Sequence, residues 1–299
     1  MNGKAYDYMD WPGIEAIIYG EEVSPKDIMA PRLTPDGILL QGFFPEAEKA
    51  EAVIEKKAYS MEKEDEAGYF AVLVSGRKIP SYSFRVTKNG ETKEFEDPYA
   101  FSGQMTEEEE KAFCAGVYYH AYEKMGAHVM TIDGTEGTSF AVWAPNAVSV
   151  SVVGDFNGWD PAAHVMTRLL DGETFELFIP HIKNYEVYKY CICAQDGRYL
   201  YKADPFAFHA ETPSKTASKV YDLNGFKWSD KAYRDSLKKK NIYASPMNIY
   251  ELNALSWRQY GDGNYFDFGK LISELIPYLK EMRYTHVEFM PLSEYPYDG

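Results

Sequence analysis

Along most of this chain the apolar residues fall in short runs rich in β-branched and aromatic side chains, broken by Gly, Asn, Asp and Pro. Ser139–Trp143, Ser149–Val153, Phe175–Ile179 and Val187–Cys193 are such runs, and Asp171-Gly172 and Asp196-Gly197 supply turn signals between them. The pattern predicts β-sandwich strands. One polar stretch interrupts it, QMTEEEEKAFCAGVYYHAYEKMGAH. Thr106 followed by Glu109 forms a capping box, the glutamates lie at the positive end of the helix dipole, and Gly126 stands where a helix stop is expected, which predicts a helix over 106–126. The glutamate run reads as a solvated first helical turn. From Met247 the rhythm changes again. MNIYELNAL reads as a strand, and Phe268–Met282 as an amphipathic helix with apolar residues at 271, 272, 275, 276, 279 and 282, bent at Pro277. THVEFMPL reads as a second, nearly continuous apolar strand. Strand, helix and strand make one βα unit of a parallel sheet.

The β-rich part repeats itself. EDPYAF (96–101) matches ADPFAF (203–208), FFPEA (43–47) matches WAPNA (143–147), and YFAVLV (69–74) matches TFELFI (174–179), all in the same order. This supports a duplicated module of about 100 residues, a common domain size. The expected organisation is a first β-sandwich over 1–105, a linking helix over 106–126, a second sandwich over 127–230, a linker over 231–246 and the βα segment over 247–299.

Composition narrows the function classes. In 299 residues, 45% are apolar and 26% charged, as in an ordinary soluble globular protein. The 25 Tyr, 17 Phe and 5 Trp exceed what a minimal core needs, and suit both sandwich interiors and surfaces that stack on sugars or bases. Bases are disfavoured by the net charge of −15, since the basic run Lys238 to Lys240 is short, so no nucleic-acid partner is expected. Cys114, Cys191 and Cys193 have no disulfide framework spacing, and Cys191 and Cys193 would share one strand face as free thiols. With no signal-peptide pattern and no run of 18 apolar residues, the reading is a cytoplasmic protein with no membrane partner. The histidines at 120, 128, 164, 181, 209 and 286 are scattered, and neither a phosphate loop nor a Ser/His/Asp arrangement is present. No cofactor and no metal are expected.

The chemistry-bearing motif is VVGDFNGWD (152–160). Asn157-Gly158 makes a tight turn that sets Trp159 at a loop tip. Its indole reads either as a ring folded back over the sandwich or as a platform for a sugar, with Lys189 and Tyr199 as flanking donor and second ring. TSFAVWAPNAVSVSVVGDFNGWD, ELFIP, YKY and KADPFAF together resemble the glycogen- and starch-recognising immunoglobulin-like sandwich that precedes the catalytic barrel of branching and debranching enzymes. YGEEVSPKDIMAPRLTPDGILLQGFFPEAE, EDPYAF and YEKMGAH resemble the extra first module of bacterial glycogen branching enzymes. IYELNALSWR and LIPYLKEMRYTHVEFMPLSEYPYDG resemble the start of an α-amylase-type (β/α)8 barrel. The resemblance is therefore to the N-terminal part of the 1,4-α-glucan branching enzymes, with α-glucan as the expected partner.

That resemblance implies a glucan platform of Trp159, Lys189 and Tyr199. Tyr199 stands where the best binders have Trp, and the asparagine they carry after the DP motif is not evident in SKTASKVYDL. The first copy has IEKKAYSMEKED in place of GDFNGW and reads as scaffold. The implied reaction transfers an α-1,4-glucan segment, with retention, to a glucan 6-hydroxyl. Its catalytic carboxylates belong to later barrel strands, so no residue of this chain is assigned as catalytic. Glu288 reads as a structural pair, and Glu294 and Tyr297 as members of a loop that shapes the glucan cleft. About 250 residues are usual for a closed barrel, so the segment from Met247 is expected to be only its beginning, inactive alone. A debranching-type hydrolase and a non-catalytic glucan-binding protein are the alternatives.

Overall fold

The computed structural model describes residues 5–21, 24–212 and 214–292. The chain divides into two compact units, Met1–Asn224 and Gly225–Gly299.

The first unit opens with the short helices α1 (Trp11–Tyr19) and α2 (Pro25–Met29). The Asp10 carboxylate caps α1 on the Gly13 N–H, and Gly20 closes it in the left-handed region, where a residue without Cβ is unstrained. The first sandwich follows, with strands β1 (Arg32–Thr34), β2 (Gly37–Phe43), β3 (Lys49–Ile54), β4 (Lys57–Ser60), β5 (Glu62–Asp65), β6 (Tyr69–Val74), β7 (Ser83–Lys88) and β8 (Glu91–Glu96). They form the antiparallel sheets β1-β2-β6-β5 and β4-β3-β7-β8. After α3 (Glu107–Cys114) come β9 (Gly126–Ile132), β10 (Thr135–Trp143), β11 (Ala147–Gly154), β12 (Thr167–Arg168), β13 (Thr174–Pro180), β14 (Val187–Ala194), β15 (Tyr199–Lys202), β16 (His209–Ala210) and β17 (Ser218–Lys219). These pair as β12-β13-β10-β9 and β11-β14-β17-β16, with β15 also on β14.

The sequence repeat is a repeat of pairing. The sheet β1-β2-β6-β5 has its counterpart in β9-β10-β13-β12, and the ladder β3-β7-β8 in β11-β14-β15. The matched segments FFPEA and WAPNA make the same corner. Ala47 N–H donates to the Phe44 carbonyl at 3.1 Å and Ala147 N–H to the Ala144 carbonyl at 3.0 Å. The DP motifs likewise play one role twice. Asp97 accepts from the Tyr82 hydroxyl at 2.5 Å and the Tyr99 N–H at 2.9 Å, while Asp204 accepts from the Tyr188 hydroxyl at 2.7 Å and the Phe206 N–H at 2.8 Å. Each aspartate thus closes its own turn and anchors a buried tyrosine, Tyr82 immediately before β7 and Tyr188 within β14.

The sandwiches pack as one body. A single core cluster joins Ile14 and Ile28 from α1 and α2, Tyr69 and Tyr99 from the first module, and Phe140, Val150, Phe175 and Tyr188 from the second. The connection after the first module is pinned by Glu176 of β13, whose carboxylate accepts the N–H groups of Gln104 (3.0 Å) and Met105 (3.2 Å). Glu176 is buried, so Glu176→Ala leaves those donors without an acceptor and is expected to destabilise this unit by about 2 kcal/mol. Urea unfolding checks this as a lowered midpoint at unchanged slope.

The helix expected over 106–126 is shorter than the capping signals suggested. The capping box of Thr106 and Glu109 forms, but α3 ends at Cys114 and the chain turns at Gly116 (φ 71°). The Tyr118 hydroxyl returns to Glu109 at 2.9 Å, folding the following segment back onto the helix. Gly126 does not stop a helix; it begins β9 with φ 96°, where an added Cβ would lie 2.9 Å from the Phe206 carbonyl oxygen.

In the second unit, α4 (Lys231–Lys238) occupies part of the expected linker. Then come β18 (Ile249–Leu252), α5 (Ala254–Trp257), α6 (Phe268–Glu281) and β19 (His286–Phe289). β18 and β19 are parallel, with Ile249 opposite His286 and Leu252 opposite Phe289. Asp267 caps α6 on the Lys270 N–H, the helix runs through Pro277, and Leu271 and Leu275 pack on Leu252 and Ala254. This is the βα unit read from the sequence.

Candidate glucan-binding face

The site is built on the outward face of the sheet formed by β11, β14 and β15. Strand alternation sends Val150, Val152, Tyr188 and Tyr190 into the core and leaves Ser151, Lys189, Cys191 and Cys193 on the other side. Residues directly opposite one another share a face. One row across the sheet is therefore Ser149, Cys193 and Tyr199, the next is Ser151, Cys191 and Tyr201, and the next pairs Val153 with Lys189.

The GDFNGW turn is fixed by its asparagine. Asn157 accepts the Gly154 N–H through Oδ1 at 3.0 Å, and its amide donates to the Val152 carbonyl and to His164 Nδ1, both at 2.9 Å. Burial pushes the His164 imidazole down to about 4, so at neutral pH it is uncharged and Nδ1 can accept. Gly158 (φ 66°) and Trp159 (φ 62°) both take left-handed backbone, so the Asn-Gly signal in the sequence carries the strained tryptophan with it. The indole is half-buried, and its N–H donates to Asp155 Oδ1 at 2.8 Å. Beyond it, the loop is tied to the sheet by the Ser151 hydroxyl, which donates to the Pro161 carbonyl at 2.6 Å. Trp159 is thus neither a free loop tip nor a core residue.

Lys189 donates to the Thr216 hydroxyl at 2.8 Å, which steadies its ammonium beside the sheet. Tyr199 is 59% exposed but stands two rows from Lys189. Tyr201, 47% exposed, stands one row closer. Its hydroxyl is raised first by its hydrogen bond to Cys191, and Asp160, the neighbour of Trp159, contributes to the same shift. Ser151, which ties down the loop after Trp159, lies in the same row as Tyr201. The YLYK alternation puts Tyr199 and Tyr201 on one face, a signal that could have found both; only the register of β15 on β14 separates them.

Glu288 is exposed and stands opposite Glu251 in the parallel ladder, and no ion pair of it is formed among the described residues. Glu294 and Tyr297 lie outside the described residues. Cys114, Cys191 and Cys193 are free thiols. Cys114 is pushed up to about 11, by desolvation first and then by the hydrogen bond and charge of Asp171, which keeps it protonated and poorly nucleophilic at neutral pH. Among the described residues no helix is long and apolar enough to cross a membrane.

Comparison with known proteins places these modules. Residues 10–99 match the model of the N-terminal domain of alpha-1,4-glucan branching enzyme GlgB, and residues 124–207 match carbohydrate-binding module 48, the isoamylase N-terminal domain. The chain is 46% identical over 198 residues to a 1,4-alpha-glucan branching enzyme GlgB of Butyrivibrio fibrisolvens, covering 65% of this chain and 31% of that protein. It is 46% identical over 181 residues to the GlgB of a Bacillus cereus strain, covering 60% and 28%. The chain thus spans less than a third of the length of these relatives. Among solved structures it resembles the type I pullulanase of Bacillus subtilis complexed with maltose, at 16% identity and TM-score 0.42, covering 86% of this chain and 36% of that one. It also resembles an Anoxybacillus pullulanase complexed with maltotetraose, at 18% identity and TM-score 0.37, covering 86% and 37%.

Proposed function

Since this chain belongs with the amino-terminal regions of the GlgB-type 1,4-α-glucan branching enzymes, we propose that its second sandwich binds α-glucan for a branching reaction of glycogen synthesis. The observation that supports this reading is that Lys189, Tyr201 and Ser151, the residue that ties down the loop after Trp159, share one sheet face inside the stretch that matches a carbohydrate-binding module. An indole and a phenol offer flat faces to the C–H side of a glucose ring, and the ammonium donates to a hydroxyl. Tyr199 extends the face one row further.

In this reading the first sandwich, which has no GDFNGW turn, is scaffold for the second. The βα segment of the second unit begins a (β/α)8 barrel whose catalytic acids lie on other strands, with Glu294 and Tyr297 in a loop that shapes the glucan cleft. The whole enzyme transfers an α-1,4-glucan segment to a 6-hydroxyl in the cytoplasm. The 299-residue chain alone is expected to leave the iodine absorbance of amylose unchanged.

Retardation of the chain in native gels containing glycogen tests the binding. Trp159→Ala is expected to weaken retardation about tenfold, the loss of a ring contact together with the water-excluding surface around it. Retardation equal to that of the unsubstituted chain would refute the assigned face.

A further inference from the structure

Three further aromatic rings stand beside this face, outside the core and outside the Trp159 platform. Tyr185, in the turn before β14, lies 5.8 Å from His209 and 5.7 Å from Tyr221, and His209 lies 5.4 Å from Tyr221, centroid to centroid. The sheet register connects them to Lys189. Val187 is opposite Lys219 on β17, and Lys219 is opposite His209 on β16, so these residues form one row. Val187 is one same-face step, about 7 Å, from Lys189. Edge-on packing, with interplanar angles of 81° and 69° for the Tyr185 pairs, leaves ring faces uncovered.

Tyr185 is placed there against its local preferences. Its φ is 72°, a conformation a glycine adopts without strain. The turn is held by the Tyr185 N–H on the Val220 carbonyl and the Asp222 N–H on Asn184 Oδ1, both 2.7 Å, and neither bond uses the ring. The ring is also 58% exposed, so it adds little to the core, whereas Tyr188 and Tyr190 nearby are fully buried. A strained position holding a large exposed ring against two others is better suited to a surface contact than to folding.

We propose that Tyr185, His209 and Tyr221 form a second aromatic platform for α-glucan, continuous with the face that carries Lys189, which takes the further rings of a long chain. The chemistry favours a neutral sugar. Lys189 and Lys219 beside the rings repel a cation, and the contact surface is aromatic, with ammonium donors at its edge for hydroxyls. The inference rests on the reading that the second sandwich binds α-glucan, and it assigns the added residues a dependence on chain length.

Isothermal titration of the 299-residue chain with maltotriose and with maltoheptaose separates the two. Tyr185→Gly removes the ring while relieving the turn, so it preserves the fold; Tyr221→Ala is its companion. Both are expected to lower maltoheptaose affinity about three- to tenfold, one ring contact each, and to leave maltotriose affinity unchanged. Trp159→Ala is expected to weaken both sugars. If the unsubstituted chain binds both sugars and Trp159→Ala loses them, but Tyr185→Gly and Tyr221→Ala bind maltoheptaose as before, the second platform is overturned and the first stands. If the unsubstituted chain binds neither sugar, the glucan reading falls and takes this one with it.

Discussion

Asp204→Ala is expected to lower the stability of the first unit by about 3 kcal/mol, the cost of leaving buried donors unpaired in the second sandwich. The carboxylate accepts the Tyr188 hydroxyl at 2.7 Å, the Tyr190 hydroxyl at 3.2 Å and the Phe206 N–H at 2.8 Å, and its own N–H donates to Ser218 Oγ at 2.9 Å. Tyr188 and Tyr190 are fully buried, so water cannot replace the lost acceptor without opening the core. The loss is moderated because burial raises the Asp204 carboxyl, and deleting the group also removes its desolvation cost. Tyr188→Phe, which removes one hydroxyl and keeps the ring, should cost about 1 kcal/mol. Urea midpoints of the two variants check the ranking. Equal, small shifts for both would mean that the aspartate does not organise the core.

The equivalent aspartate of the first sandwich is expected to reveal itself through pH. Burial raises the Asp97 carboxyl from its ordinary value of 3.8 to about 6, against the opposing hydrogen bonds from the Tyr82 hydroxyl and the Tyr99 N–H. The folded protein therefore holds this proton more tightly than the unfolded chain does. Below about pH 4 the group is protonated in both states and costs nothing. Between pH 4 and 6 the unfolded chain loses the proton first, and stability falls. Above about 6 the full penalty of about 3 kcal/mol is expressed. Asp97→Asn keeps an acceptor for the Tyr99 N–H and cannot ionise. Relative to the unsubstituted chain it is expected to gain about 2 to 3 kcal/mol on going from pH 4 to pH 7. Denaturant titrations at those two pH values measure this difference directly, and a constant difference between the two proteins would contradict it.

Much of this architecture is legible in the sequence because its signals are local. Ser139–Trp143 lies within β10, Ser149–Val153 within β11, Phe175–Ile179 within β13 and Val187–Cys193 within β14. Gly172 and Gly197 take the positive φ that the Asp-Gly pairs announce. The duplication, read from three short matches, corresponds to shared sheet pairing and to a shared aspartate–tyrosine bond, because the DP turn and the strand it serves lie close in sequence. The α3 boundary was legible only at its start. A capping box is a contact between neighbours, whereas the early end depends on Gly116 and on the return of Tyr118 to Glu109.

The binding face divides along the same line. From sequence alone the residues that could meet a sugar were the tryptophan after Asn-Gly, the lysine in YKY and the first tyrosine of YLYK, Tyr199; Tyr201 was not among them. Only the tertiary structure decided that Tyr201 stands one row nearer Lys189 than Tyr199 does, that His164 and Asn157 hold the tryptophan turn, and that Tyr185, His209 and Tyr221 meet. Those facts depend on strand register and on contacts between segments distant in the chain. A period-2 pattern specifies which face a residue occupies, but it carries no information about which residue of another strand stands opposite.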